Sequence, residues 1–172
     1  MSDSKIHIIA EAGTNNNGNL GQAKELVDIA HRAQADSIKF QIINPWGLYL
    51  PGDYEYGHYD NPPYIKLASC DLNNIRFIKQ VAERGKKMIM STGMSTMADI
   101  EKSLNALAKM NFDNLVLLHC VSVYPAHLEQ ANVGFIKTLK DTFGFEVGYS
   151  DHTGTSHAAC MALTMGATWF EK

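Results

Sequence analysis

Short β-branched runs alternate with stretches of helical period along this chain. The run KIHIIAEAG leads into LGQAKELVDIAHRAQ, where Ala23, Leu26, Val27, Ala30 and Ala33 fall on one face at helical spacing. SIKFQ reads as the second strand. YIKLASCD precedes NNIRFIKQVAERG, with Ile75, Ile78, Val81 and Ala82 as its stripe and Gly85 as its stop. KMIMSTG precedes TMADIEKSLNALAKM, where Thr96 and Asp99 suggest a capping box. NLVLLHCV precedes VGFIKTLKDTFG, FEVGYSD precedes SHAACMALTMG, and ATWFEK is a last strand-like segment.

Strands alternating with helices predict a parallel sheet covered by helices, as a barrel or as a doubly wound sheet. The polar residues favour the barrel. Glu11, Lys39, Lys66 with Ser69, Ser91 with Thr92, His119, Ser150 with His152, and Glu171 all fall at or near the C-terminal ends of different strands. In a barrel those ends converge on one mouth, whereas an open sheet strings them along an edge. The count is short, however, at seven strands and five good helices, and a complete barrel needs about 200 residues or more. The segment 42–63, rich in Pro, Tyr and Gly, has no helical period and reads as a long loop. The fold expected is therefore an α/β, TIM (β/α)8-type barrel that is incomplete.

Composition narrows the class. With 172 residues, 45% hydrophobic and 19% charged, the chain can bury one sizeable core. A formal charge of -3 offers no basic face for nucleic acid. An anionic ligand must then be met by locally placed Lys, hydroxyl or backbone N–H groups. Cys70, Cys120 and Cys160 form neither a disulfide framework nor a paired zinc site. No apolar run is long enough for a membrane span or a signal core, so a cytoplasmic protein is expected.

The candidate chemistry is a mouth with cations, hydroxyls, acids and one histidine. A lone strand-end lysine commonly reaches solvent. Two of them, Lys39 and Lys66, on β-branched strands suit an anion better, with Ser69, Ser91 and Thr92 supplying hydroxyl donors. Glu11 is either a solvated loop acid or a site acid, flanked by the small residues Ala10, Ala12 and Gly13. The amides of TNNNG either form a turn or also meet a polyhydroxylated ligand. His119 beside Cys120 lacks a second ligand at zinc spacing. His152, between Asp151 and Thr153, reads as a metal ligand, an acid–base group or the polar end of a strand.

The stretches IIAEAGTNNNG, IKFQ, IKLASCDLNN, MIMSTGMST, LLHCVSVYPA, GYSDHT and GATWFEK resemble, in order, the N-acetylneuraminate (sialic acid) synthase family. That family includes legionaminic and pseudaminic acid synthases and spore-coat polysaccharide proteins. The resemblance implies condensation of phosphoenolpyruvate with an N-acylated amino sugar, such as N-acetylmannosamine, to a nine-carbon 2-keto acid and phosphate. It also implies a divalent cation, Mn2+ or Mg2+, acting as a Lewis acid, and a homodimer. Matched by position, Lys39, Lys66, Ser69, Ser91 and Ser150 hold phosphoenolpyruvate, joined by Tyr124 and by Ser122, which stands where the family often has Asn. Glu11 meets the sugar, Asp71 and Glu171 are further acids of the site, and His152 is a metal ligand.

There are departures from the pattern. Residues 1–172 are expected to form a single barrel domain without the family's C-terminal antifreeze-like domain. The second metal histidine follows the point where this chain stops, and a helix–strand–helix is missing before IKLAS. Asn16 replaces a customary His. These departures imply a form without turnover, and they leave a second reading open: a non-catalytic relic that binds an anionic metabolite or assembles with another chain. A different barrel aldolase, such as a keto-deoxy sugar acid synthase, shares the phosphoenolpyruvate chemistry but not SDHT or LHCVSVYPA.

Overall fold

The structure, a computed structural model, describes residues 5–41 and 63–172. The loop expected at 42–63 lies outside the described residues except for Pro63. The chain divides into two compact units, one within His7–Pro62 and one formed mainly by Pro63–Lys172. No helix among the described residues is long and apolar enough to cross a membrane.

The smaller unit is β1 (His7–Gly13), α1 (Leu20–Arg32) and β2 (Ser37–Phe40). The Asn19 side chain accepts the Gln22 N–H at 3.1 Å and starts α1, as a side-chain N-cap should. Strands β1 and β2 run parallel, with Glu11 opposite Lys39 in register. The Asp36 carboxylate accepts the Ile8 N–H at 2.9 Å, fixing the entry to β2. The ladder shifts between Glu11 and Gly13, where Gly13 adopts φ +55°. The predicted stripe on α1 is buried only in part: Ala30 is covered, while Val27 and Ala33 are exposed.

The larger unit runs β3 (Tyr64–Leu67), α2 (Ile75–Ala82), β4 (Lys87–Ser91), α3 (Met97–Ala108), β5 (Leu115–Cys120), α4 (Phe135–Phe143), β6 (Glu146–Ser150), α5 (His157–Thr164) and β7 (Trp169–Glu171). Adjacent strands pair in parallel in that order, β3 to β7. The α2 stripe holds, since Ile78, Val81 and Ala82 are buried. Thr96 and Asp99 form the capping box at the start of α3. The α2 helix stops before Gly85, whose φ of +66° takes the chain out of helical geometry.

Alternation along each strand separates two faces. Leu67, Met88, Met90, Leu115, Leu117, Val147 and Tyr149 pack against the helices in the main core. The intervening residues lie on the other face, and there the sheet curls. Tyr64 and Trp169 sit on its first and last strands, yet their rings meet edge to face with centroids 5.3 Å apart. Glu146 joins them, accepting from the Trp169 indole at 2.6 Å and the Lys87 ammonium at 2.8 Å. Burial pushes the Glu146 pKa up, but these two bonds outweigh it and hold the carboxyl below its ordinary value. This aromatic and ionic layer closes the N-terminal end of the curl. A plug at that end, with chemistry at the other, is the barrel plan.

His119 is a correction to the predicted mouth. Its ring faces α4, not the inside of the curl. Nε2 bonds the Ala131 carbonyl at 2.8 Å, and the ring packs against Phe135 and Tyr149. Cys120, one residue on, faces the other way, so the two side chains cannot share a metal. Thr92 is structural as well, since its hydroxyl donates to the Leu118 carbonyl at 3.1 Å.

Two outcomes follow from this packing. A Cβ at Gly148 would lie 2.3 Å from the Trp169 carbonyl oxygen and 2.5 Å from Leu118 Cδ2. Gly148→Ala is expected to cost about 3 kcal/mol, measured by urea unfolding. Burial lowers the His119 pKa below 6.5, against the raising effect of the Ala131 and Asn132 backbone. The unfolded chain then takes the proton first, so stability is full above pH 6.5 and declines as pH falls through the folded value. His119→Gln should flatten the fall in urea midpoint between about pH 7 and pH 5.

Candidate active site

The C-terminal ends of β3 to β7 bring together most of the predicted site residues. Lys66 on β3 and Glu171 on β7 form an ion pair of 3.2 Å, with side chains 13% and 4% exposed. Three strands lie between them in the sheet, so the curl alone makes the pair possible. The Ser150 hydroxyl donates to Glu171 Oε2 at 2.6 Å and stands 3.2 Å from His152 Nε2. His152 Nδ1 bonds the Val121 carbonyl at 2.8 Å. Lys66, Glu171, Ser150 and His152 are thus one connected chain of polar groups.

Hydrogen counting shows what the chain is poised for. A carbonyl only accepts, so Nδ1 of His152 carries the hydrogen. Ser150 has one hydroxyl hydrogen, and an ionised Glu171 beside the Lys66 ammonium takes it. Nε2 of a neutral His152 then presents its lone pair to an oxygen with no hydrogen left to give. A cation at Nε2 would satisfy that arrangement.

A second cluster sits on β3, β4 and β5. The Gly93 N–H donates to Ser69 Oγ at 3.1 Å, and Ser69 Oγ touches Cys120 Sγ at 3.2 Å. Ser122 is alongside, because a Cβ on Gly93 would meet its hydroxyl at 2.7 Å. Only glycine permits this approach. The Ser91 hydroxyl, at the end of β4, is buried without a hydrogen-bond partner among the described residues. A buried hydroxyl lacking a partner is costly unless something else supplies one, and a bound anion is a candidate.

Asp71 lies on a short 3-10 turn, Ser69–Asp71, just after β3. Burial raises its pKa above the ordinary 3.8, against a backbone hydrogen bond from Ala68 and the charge of Lys66. Lys66 therefore works between two acids. The Tyr124 ring lies against the His152 imidazole, with centroids 4.2 Å apart. Asp151 points away from this chain of groups. Its Oδ1 accepts the N–H and hydroxyl of Thr153 at 2.9 and 2.8 Å, and Oδ2 binds Lys172.

In the smaller unit, Glu11 and Lys39 form an ion pair of their own across the β1–β2 register. The TNNNG segment is a tight turn, with Asn17 at φ 48° and Gly18 at φ 72°. Sequence reasoning missed Gly93 and Lys172. A glycine directly after two strand-end hydroxyls was the available signal for the first. Lys172 had none, because its partners lie 17 to 21 residues earlier.

No group of three His, Cys, Asp or Glu side chains that could hold a metal converges among the described residues. His152 supplies one ready nitrogen, and one nitrogen does not make a metal centre.

Comparison with known proteins decides the family. The NeuB family model matches residues 58–172. The chain belongs to the NeuB family. It is 31% identical to the N,N'-diacetyllegionaminic acid synthase of Campylobacter jejuni, over 98% of this chain and 67% of that protein. The crystal structure of Bacillus subtilis spore coat polysaccharide biosynthesis protein spsE superposes with a TM-score of 0.91 at 27% identity, over 99% of this chain and 60% of that one. The N-acetylneuraminic acid synthetase of Leptospira borgpetersenii, solved with citrate, gives a TM-score of 0.86 at 31% identity, over 98% of this chain and 72% of that one. The expected incomplete TIM-type barrel is therefore the fold.

The chain spans roughly two thirds of the length of these NeuB relatives. The alignment to the Campylobacter protein runs over 223 positions although this chain has 172 residues, so at least 51 positions of the relative face none of its residues.

Lys66→Met tests the central ion pair. It removes the Lys66 ammonium from the buried Glu171 carboxylate and should cost about 3–5 kcal/mol in urea unfolding. Adding Glu171→Gln to Lys66→Met should recover much of that loss.

Proposed function

We propose that this chain is the barrel of a synthase that condenses phosphoenolpyruvate with an N-acylated amino sugar, yielding a nine-carbon 2-keto sugar acid and phosphate. The observation that carries this reading is the Lys66–Glu171–Ser150–His152 chain of polar groups, together with a buried Ser91 hydroxyl that has no hydrogen-bond partner among the described residues. An anion needs a cation and hydroxyl donors converging from different strands, and those are the groups gathered here. The names of the NeuB relatives support a sugar acid as product.

In this reading Lys66, Ser69, Ser91, Ser122 and Ser150, with Lys39, hold the phosphate and carboxylate of phosphoenolpyruvate, and Tyr124 lines the entry. The methylene carbon of phosphoenolpyruvate bonds to the aldehyde carbon of the sugar, water adds to the carbon bearing phosphate, and phosphate leaves. Glu11 meets the sugar. Asp71 and Glu171 handle protons, Asp71 keeping its own to higher pH than an ordinary aspartate does. His152 Nε2 gives one donor to Mn2+ or Mg2+, whose Lewis acidity would activate the aldehyde when the ion is bound. A homodimer acting in the cytoplasm completes the proposal.

The positions without a counterpart here favour a second reading for the chain as it stands: it binds the anion and does not turn it over. Phosphorus NMR separates the two. Phosphate release that needs sugar, phosphoenolpyruvate and Mn2+ together supports the synthase. Release without the sugar counts against it. Perturbation of the phosphoenolpyruvate signal with no release, abolished by Lys66→Met/Glu171→Gln, supports the binding protein.

A further inference from the structure

We infer that Lys172 is a positioning residue, which fixes the turn after β6 and thereby sets the direction of the His152 imidazole. Its ammonium donates to Asp151 Oδ2 at 2.7 Å and to the carbonyls of Thr153 and Thr155 at 2.9 and 2.8 Å. An ammonium has three hydrogens, and all three are spent on this one turn. The Lys172 side chain is 45% exposed, so water competes for those hydrogens and the turn still holds them.

The turn needs that cation. Asp151 is 5% exposed, and a carboxylate so deeply placed is costly without a counter-charge. His152 sits between the two anchored points. On one side, Asp151 N–H bonds the Glu171 carbonyl at 2.9 Å, and on the other, Lys172 grips residues 153 and 155. Glu171 and Lys172 are neighbours on the chain, so one strand end fixes both the acid of the site and the loop that carries its histidine. The His152 carbonyl is held in turn by Ala126 N–H at 2.9 Å. With the backbone pinned, the ring reaches the Val121 carbonyl and stacks on Tyr124.

The residue type matters. Three acceptors converge on a point, which suits a compact ammonium. The planar fork of a guanidinium directs its hydrogens elsewhere. The inference takes its functional weight from reading His152 as a site group, but its test needs neither turnover nor a ligand.

Nitrogen-15 NMR of the imidazole rings in the intact chain reads the tautomer of His152. The wild type should show the single Nδ1–H form. Lys172→Met should lose that pattern, and exchange of the Thr153 amide should quicken by about tenfold or more, the scale of one charge-assisted hydrogen bond. Lys172→Arg should rescue only in part, and Lys137→Met, at an exposed helix pair, should change neither readout. Should Lys172→Met fail to fold, Asp151→Asn/Lys172→Met removes both charges while still lacking the bonds to Thr153 and Thr155. A retained single tautomer and unchanged Thr153 exchange in either variant would overturn the inference. Absence of phosphoenolpyruvate binding with the tautomer effect present would instead reject the proposed function and leave the role of Lys172 standing.

Discussion

Inside the curled strands of the larger unit, a buried carboxylate has to be neutralised by a cation that reaches it from across three intervening strands. Glu171 and Lys66 meet that requirement, and much of the arrangement follows from it. The strands must curl far enough for β3 and β7 to face each other. The interior positions between them must be small or apolar, and Gly148, with no room for a Cβ, marks how close the backbone and side chains come. Tyr64, Lys87, Glu146 and Trp169 form a contact layer of their own at the opposite end.

Electrostatics and hydrogen counting give the mouth its character. Ser150 has a single hydrogen and stands between Glu171 Oε2 and His152 Nε2, and it donates that hydrogen to the carboxylate. Ser91 has a hydrogen and no acceptor among the described residues. Groups left in this state are expensive in a resting fold and useful when an anion or a cation arrives. Structural polar groups in the same chain are satisfied instead: Thr92 by Leu118, His119 by Ala131, Asp151 by Thr153 and Lys172.

The family relationship fits this picture and also marks its boundary. The Campylobacter relative carries at least 51 positions with no counterpart here, while the chain superposes on the solved spore coat protein with a TM-score of 0.91.

The sequence by itself determined the alternation of strand and helix, the capping box at Thr96 and Asp99, and the polar residues at strand ends, because each is written in local spacing. It also marked His152 as a candidate site residue, through the ordered motifs that surround it. It misplaced His119, since strand alternation sends neighbours to opposite faces and a one-residue error in phase exchanges inside for outside. It overstated the α1 stripe for a related reason: helical period marks the face a helix can bury, and only the packing partner decides how much is covered. Tertiary structure alone decided that Lys66 pairs with Glu171, that Gly93 admits Ser69 and Ser122, and that Lys172 holds Asp151. Those contacts join residues 21 to 105 apart in the chain, and no local pattern encodes where the curl of a sheet will bring them.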